Sequence, residues 1–226
     1  RGATPGALLS TEHEPDELIR LHGSARLTGV RLKGPHPGDD WRGSSSAGGV
    51  ETLGPGEIDN CEIWGFAHHG AQAESGDGAH IHHNVIRENN REGLGYGVSA
   101  SSGTPIIEYN YFNYNRHSVA TAGENPGYVL RYNHFGPKEV LHNIDAHAPA
   151  GRRYEIHNNV IETTHREWDG NENHIVVIRD APADLSTIHD NWFFNPTPPG
   201  DAPTGWSDDS AIIQPLADEW TNVEWA

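Results

Sequence analysis

A short phrase built around asparagine returns six times along the chain, and it decides what the chain can fold into. It reads Glu57-Ile58-Asp59-Asn60, Ile81-His82-His83-Asn84-Val85-Ile86 and Ile107-Glu108-Tyr109-Asn110-Tyr111-Phe112. It then reads Leu130-Arg131-Tyr132-Asn133-His134-Phe135, Ile156-His157-Asn158-Asn159-Val160-Ile161 and Ile188-His189-Asp190-Asn191-Trp192-Phe193. The asparagines at 60, 84, 110, 133, 159 and 191 are 24, 26, 23, 26 and 32 residues apart. Self-similarity at such a period marks a solenoid, each repeat being one turn of a coil.

Composition agrees. Only 35% of the 226 residues are hydrophobic, with 26 Gly and 15 Pro. That is poor material for a spherical core and sufficient for a thin apolar axis. No run approaches the ~20 apolar residues of a membrane span. The single Cys61 excludes an internal disulfide and is expected in the core. Net charge is -17, from 32 acidic and 15 basic residues, and the only lysines are Lys33 and Lys138. Such a balance resembles the surface of proteins from salt-loving organisms, where high ionic strength screens self-repulsion. It argues against nucleic acid as a partner, since no basic patch can track phosphates. The chain opens at Arg1 and closes on Thr221-Asn222-Val223-Glu224-Trp225-Ala226, which reads like the start of another coil. A single coiled domain over 1–226, cut from a longer parent, is therefore expected.

Within each repeat the residue three before Asn is aliphatic (Ile81, Ile107, Leu130, Ile156, Ile188). The residue two after is also apolar (Ile86, Phe112, Phe135, Ile161, Phe193). A strand alternates faces with period two, and a turn at Asn between the two positions points both inward. The Asn column then becomes an internal amide ladder, and Tyr109 and Tyr132 stack beside it. A third strand is expected at Gly93-Leu94, Ser118-Val119, Asn143-Ile144 and His174-Ile175. Three short strands per turn predict three parallel sheets. Earlier turns without the Asn show at Leu18-Ile19-Arg20-Leu21 and Ala25–32. Segments 35–54, 163–173 and 196–209 read as loops standing off the coil.

On these residues the chain resembles the right-handed parallel β-helices of the pectin-lyase-like superfamily over about 17–195. The fold class expected is all-β, a three-sheet right-handed parallel β-helix of about seven to eight coils. The superfamily includes polysaccharide lyases, polygalacturonase-type hydrolases, uronate epimerases and non-catalytic viral or surface spikes. The resemblance therefore implies a secreted or cell-surface location and a polysaccharide partner without fixing a reaction. Ile144-Asp145-Ala146-His147 loosely matches the Asp-Pro-His-Asp stretch of the epimerases. The clustered aspartates of the polygalacturonases, the dense acidic calcium cluster of the pectate lyases and a glycosidase carboxylate pair are not recognisable in the sequence.

Stacking turns makes columns, and one column carries chemistry. His68-His69, Arg91-Glu92, Arg116-His117, Leu141-His142 and Asn173-His174 all lie at or just ahead of the third strand. Beside them Asp145 and His147 are expected to face outward, next to the small Ala120 and Ala122, in a recess covered by His165 and Trp168. Three readings are open. As a catalytic groove, Arg116 or Arg131 neutralises a sugar carboxylate and His117, His142 or His147 moves a proton, with Asp145 fixing a tautomer. Glu108, Arg131, His165, Trp168 and His174 then contact substrate. As a metal site, His117, His142, Asp145 and His147 hold a divalent ion such as zinc or calcium. As structure, the histidines cap strands, and Glu108 and Arg131 form an inter-turn ion pair. The adjacent pairs His68-His69 and His82-His83 are expected to point to opposite faces. A polysaccharide lyase or related uronate-acting enzyme is the preferred function; a spike or adhesin and a metal-binding coil are the alternatives.

Overall fold

The computed structural model describes residues 6–36, 45–75, 77–163, 165–166, 175–194, 213–215 and 223–225. Among them there is no helix, hence none long and apolar enough to cross a membrane. Three eight-stranded sheets run the length of the molecule, and every strand pairs in parallel with those one turn before and after.

The register follows from which side chains are apolar. In the first sheet Leu32, Ile63, Ile86, Phe112, Phe135 and Ile161 fall in line. In the third, Ile58, Ile81, Ile107, Leu130, Ile156 and Ile188 do the same. All twelve are fully buried. Each is worth roughly 1.5–3 kcal/mol of burial, and a one-residue slip would turn a whole column to solvent. Cys61 is buried among them, as expected.

The corner between the third and first sheets is a left-handed residue followed by the ladder. His83, Tyr109, Tyr132, Asn158 and Asp190 have φ of 53–55°. That conformation costs a non-glycine residue about 1–2 kcal/mol. The following asparagine offsets it: Asn133 Oδ1 accepts from the backbone N–H of Asn110 at 3.0 Å and from Asn110 Nδ2 at 3.1 Å. Asn133 Nδ2 in turn donates to the Ile107 carbonyl at 2.9 Å. Asn60 does not belong to this ladder. It takes the left-handed position (φ 52°), and Cys61 occupies the ladder slot, its N–H donating to Asn84 Oδ1 at 2.9 Å. Tyr109 and Tyr132 stack at 5.2 Å as expected.

The second sheet departs from expectation in three places. Its strand in the fourth turn is Tyr96–Ala100 rather than Gly93-Leu94, with Val98 against Val119. Ile175 precedes its strand, Val176–Ile178, and Val176 pairs with Ile144. Segment 35–54 contains the strand Gly48–Leu53 of this sheet. Outside it, segment 163–173 contains His165–Arg166, which pairs with Lys138–Glu139 as a separate two-stranded sheet. A second polar ladder lines the corner leading into the second sheet. Asn89 Nδ2 donates to Asn115 Oδ1 (3.0 Å), Asn115 Nδ2 to Ser118 Oγ (3.2 Å), and Ser118 Oγ to the buried Glu139 (2.6 Å). Because residues 118 and 119 are both turned toward the interior here, His117 is left on the outer side of the sheet.

Candidate functional site

The outer side of the second sheet carries a row of rings. His69, Tyr96, His117 and His142 follow one another in register across four strands. Tyr96 stacks on His117 (5.8 Å, 15°) and His117 on His142 (5.2 Å, 11°). Tyr96, not Arg91-Glu92, fills the fourth-turn position, which is the shift already seen in its strand. His147 lies edge-on to Tyr96 (5.9 Å) and to His117 (5.6 Å).

Asp145 is the hub of this group. Its backbone sits opposite Ala120, as expected from the sequence, but its side chain is not in an open recess: it is fully buried. Arg179, from the next turn, fills the space, donating from Nε to Oδ1 (2.8 Å) and from Nη2 to Oδ2 (2.5 Å). His147 Nε2 is 3.1 Å and His117 Nε2 3.3 Å from the same Oδ2. Burial pushes the Asp145 carboxyl up, but the hydrogen bonds from Arg179 and His147 outweigh burial and hold it well below the usual carboxylate range. Burial pushes the fully enclosed His117 well below its usual value and keeps it neutral.

The tautomers follow from these partners. A carbonyl can only accept, so His117 Nδ1, 3.3 Å from the His142 carbonyl, carries the proton. Its Nε2 is then bare and lacks hydrogen-bond geometry to Asp145 despite the short approach. His147 Nε2 donates to Asp145, which leaves Nδ1 as the basic nitrogen. Of the three imidazoles only His147 reaches solvent appreciably, with 23% of its side chain exposed. His117 and His142 are buried, so direct proton exchange with a polymer, expected of either, is excluded by geometry; they support His147. Arg116 donates to the Leu94 carbonyl (3.3 Å) and bonds the Tyr96 hydroxyl. Burial raises the Tyr96 phenol above its ordinary value, so it stays protonated.

Other expected site residues lie elsewhere. Glu108 and Arg131 are on the third sheet, a different side of the coil, and form the inter-turn pair (2.6 Å), with His80 on the other carboxylate oxygen at 2.9 Å. They cannot serve the Asp145 site, because strand alternation directs them away from the second sheet. His165 lies in a described strand, but its side chain, Trp168 and His174 fall outside the described residues. Arg179 and Tyr96 were missed by the sequence reading.

A divalent ion does not suit the Asp145 group. His117, Asp145 and His147 bring donor atoms within 4.8 Å of one another, but Arg179 already meets the carboxylate charge and crowds Oδ2. Calcium would want six or more oxygens, and this group offers two imidazoles and one carboxylate. The adjacent pairs, in contrast, do converge. His68 precedes its strand at a corner and lies 4.3 Å ring to ring from His69, while the left-handed His83 swings back so that its Nδ1 is 2.8 Å from His82 Nδ1.

Residues 40–135 match the family model described as a right handed beta helix region. The fold is a right-handed parallel β-helix. No curated protein and no solved structure matches the chain. The outer face of the second sheet of this β-helix carries Tyr96, His117, Asp145, His147 and Arg179 together.

Proposed function

We propose that this β-helix is a carbohydrate-active protein of the extracellular space or cell surface that cleaves an acidic polysaccharide as a lyase, through His147 and the groups that orient it. The observation that carries the reading is the buried, ionised Asp145, locked by Arg179 and presenting a part-exposed imidazole with a fixed tautomer. An ion pair placed only for stability has no need of a third, solvent-facing partner.

The chemistry suits β-elimination at a uronate. Arg179 uses two of its five donors on Asp145, keeps 29% of its side chain exposed, and faces the sugar carboxylate with the rest. Spreading that carboxylate's charge makes the neighbouring C5–H more acidic. His147 Nδ1 takes the C5 proton, the electron pair becomes the C4–C5 double bond, and the C4–O bond breaks. The leaving oxygen takes a proton from the Tyr96 hydroxyl, which is restored from water.

A panel of polyuronates and neutral glycans, followed by the ultraviolet absorbance of unsaturated uronate, tests this. Absorbance growth on at least one polyuronate and none on neutral chains is expected. Binding without cleavage across the panel overturns the lyase reading and leaves a glycan-binding β-helix.

A further inference from the structure

Among the described residues, three groups each bring one carboxylate together with two histidines. Asp145 is held by Arg179 at 2.5 Å. Glu57, beside His80 and His82, has the Arg26 guanidinium at 3.4 Å. Glu17 has only 6% of its side chain exposed, and both of its oxygens face an imidazole, His69 Nε2, at 2.8 and 2.9 Å. The nearby Arg20 is engaged by Glu51 at 2.7 Å. A buried carboxylate is stable when paired with a cation or bound to a metal.

The local backbone is shaped for this contact. Glu17 pairs with Gly48, and its side chain passes over that glycine to reach His69, one strand further on. A Cβ at Gly48 would lie 2.4 Å from one Glu17 oxygen and 2.5 Å from the other. His69 is fully buried, and its Nδ1 has no hydrogen-bond partner, so the Glu17 side is its one polar tie.

We propose that Glu17, His68 and His69 form a binding site for a zinc-class divalent cation at the end of the second sheet opposite to Asp145. Each residue offers one ligand atom, all within 4.8 Å of one another. Tetrahedral ligands at ~2.0–2.1 Å from zinc stand about 3.3 Å apart, so small shifts of the side chains seat the ion. Two imidazoles and one carboxylate select zinc or a neighbouring first-row ion over calcium or magnesium. The half-buried His68 leaves the fourth position to water or to a sugar oxygen. The ion ties the first strand of this sheet to the third across Gly48. None of this depends on the lyase reading.

The test is zinc titration by calorimetry of the untagged, chelator-stripped full chain near neutral pH. One equivalent is expected to bind. Affinity is expected to fall by at least ~10–100-fold, the loss caused even by outer-sphere changes, in Glu17→Gln and in His68→Ala, and to persist in His147→Ala. His68 is only half-buried, so His68→Ala decides the matter if Glu17→Gln fails to fold. No zinc uptake by the native chain, native affinity in His68→Ala, or loss of uptake in His147→Ala would each overturn the assignment.

Discussion

Arg179 grips Asp145 across one turn of the coil through two parallel hydrogen bonds, 2.8 and 2.5 Å long. Removing one partner of a buried pair leaves an uncompensated charge and typically costs about 3–5 kcal/mol. Because part of the Arg179 side chain meets solvent, Arg179→Ala is expected near the lower end, about 3 kcal/mol. Arg179→Ala combined with Asp145→Asn is expected to recover part of that loss. Urea midpoints of the three proteins check it; a double variant less stable than Arg179→Ala alone contradicts it.

The amide ladder makes a sharper claim about single residues. Asn133→Ala strips partners from the Asn110 N–H, Asn110 Nδ2 and the Ile107 carbonyl at once. Each buried group left unsatisfied costs about 1–3 kcal/mol, and local relaxation lowers the sum. A loss of about 3 kcal/mol in denaturant unfolding is expected, against less than about 1 kcal/mol for the exposed Asn158→Ala.

Acid should weaken the third sheet through Asp59. The hydrogen bonds from Arg26 hold its carboxyl down to about 2, against an ordinary 3.8. A depressed carboxyl stabilises the fold above its unfolded value and loses that contribution as pH falls through the folded value. The stability gap between native protein and Arg26→Met is therefore expected to be constant above about pH 4 and to close between about pH 4 and 2. A gap that widens on acidification contradicts this.

The fold was legible in the sequence wherever the asparagine phrase marked the register. Its aliphatic flanks located the strands of the first and third sheets, and the ladder partners of Asn84 through Asn191 followed. Asn60 misled by one position, because an asparagine suits the left-handed corner as well as the ladder slot that Cys61 fills. The second sheet lies at a variable distance from the phrase, so its register drifted from Tyr96 to Arg91. Asp145, His117 and His147 could be gathered because they lie on adjacent turns with unbroken spacing. Arg179 lies inside the longest repeat, and the 32-residue spacing of Asn159 and Asn191 carries His147 onto it. Glu17 had no such marker, since its turn lacks the phrase and its reach depends on an absent side chain at Gly48.

A net charge of -17 has a salt dependence that separates repulsion from pairing. Charges repel over about 30 Å at 0.01 M salt and about 3 Å at 1 M. Contacts as short as Arg31 to Glu62 at 2.6 Å are screened far less than that long-range repulsion. The thermal midpoint is expected to rise between 0.01 and 1 M sodium chloride. A fall would mean that pairing, not repulsion, dominates the surface.

The central claim is that His147, oriented by Asp145, moves the proton during cleavage of an acidic polysaccharide. The most direct measurement compares turnover of the best polyuronate by native protein and by His147→Ala, with thermal unfolding of both. A loss of ~10²–10⁴-fold in rate with an unfolding midpoint within a few degrees of native is the predicted result. Native-like turnover by folded His147→Ala would contradict it.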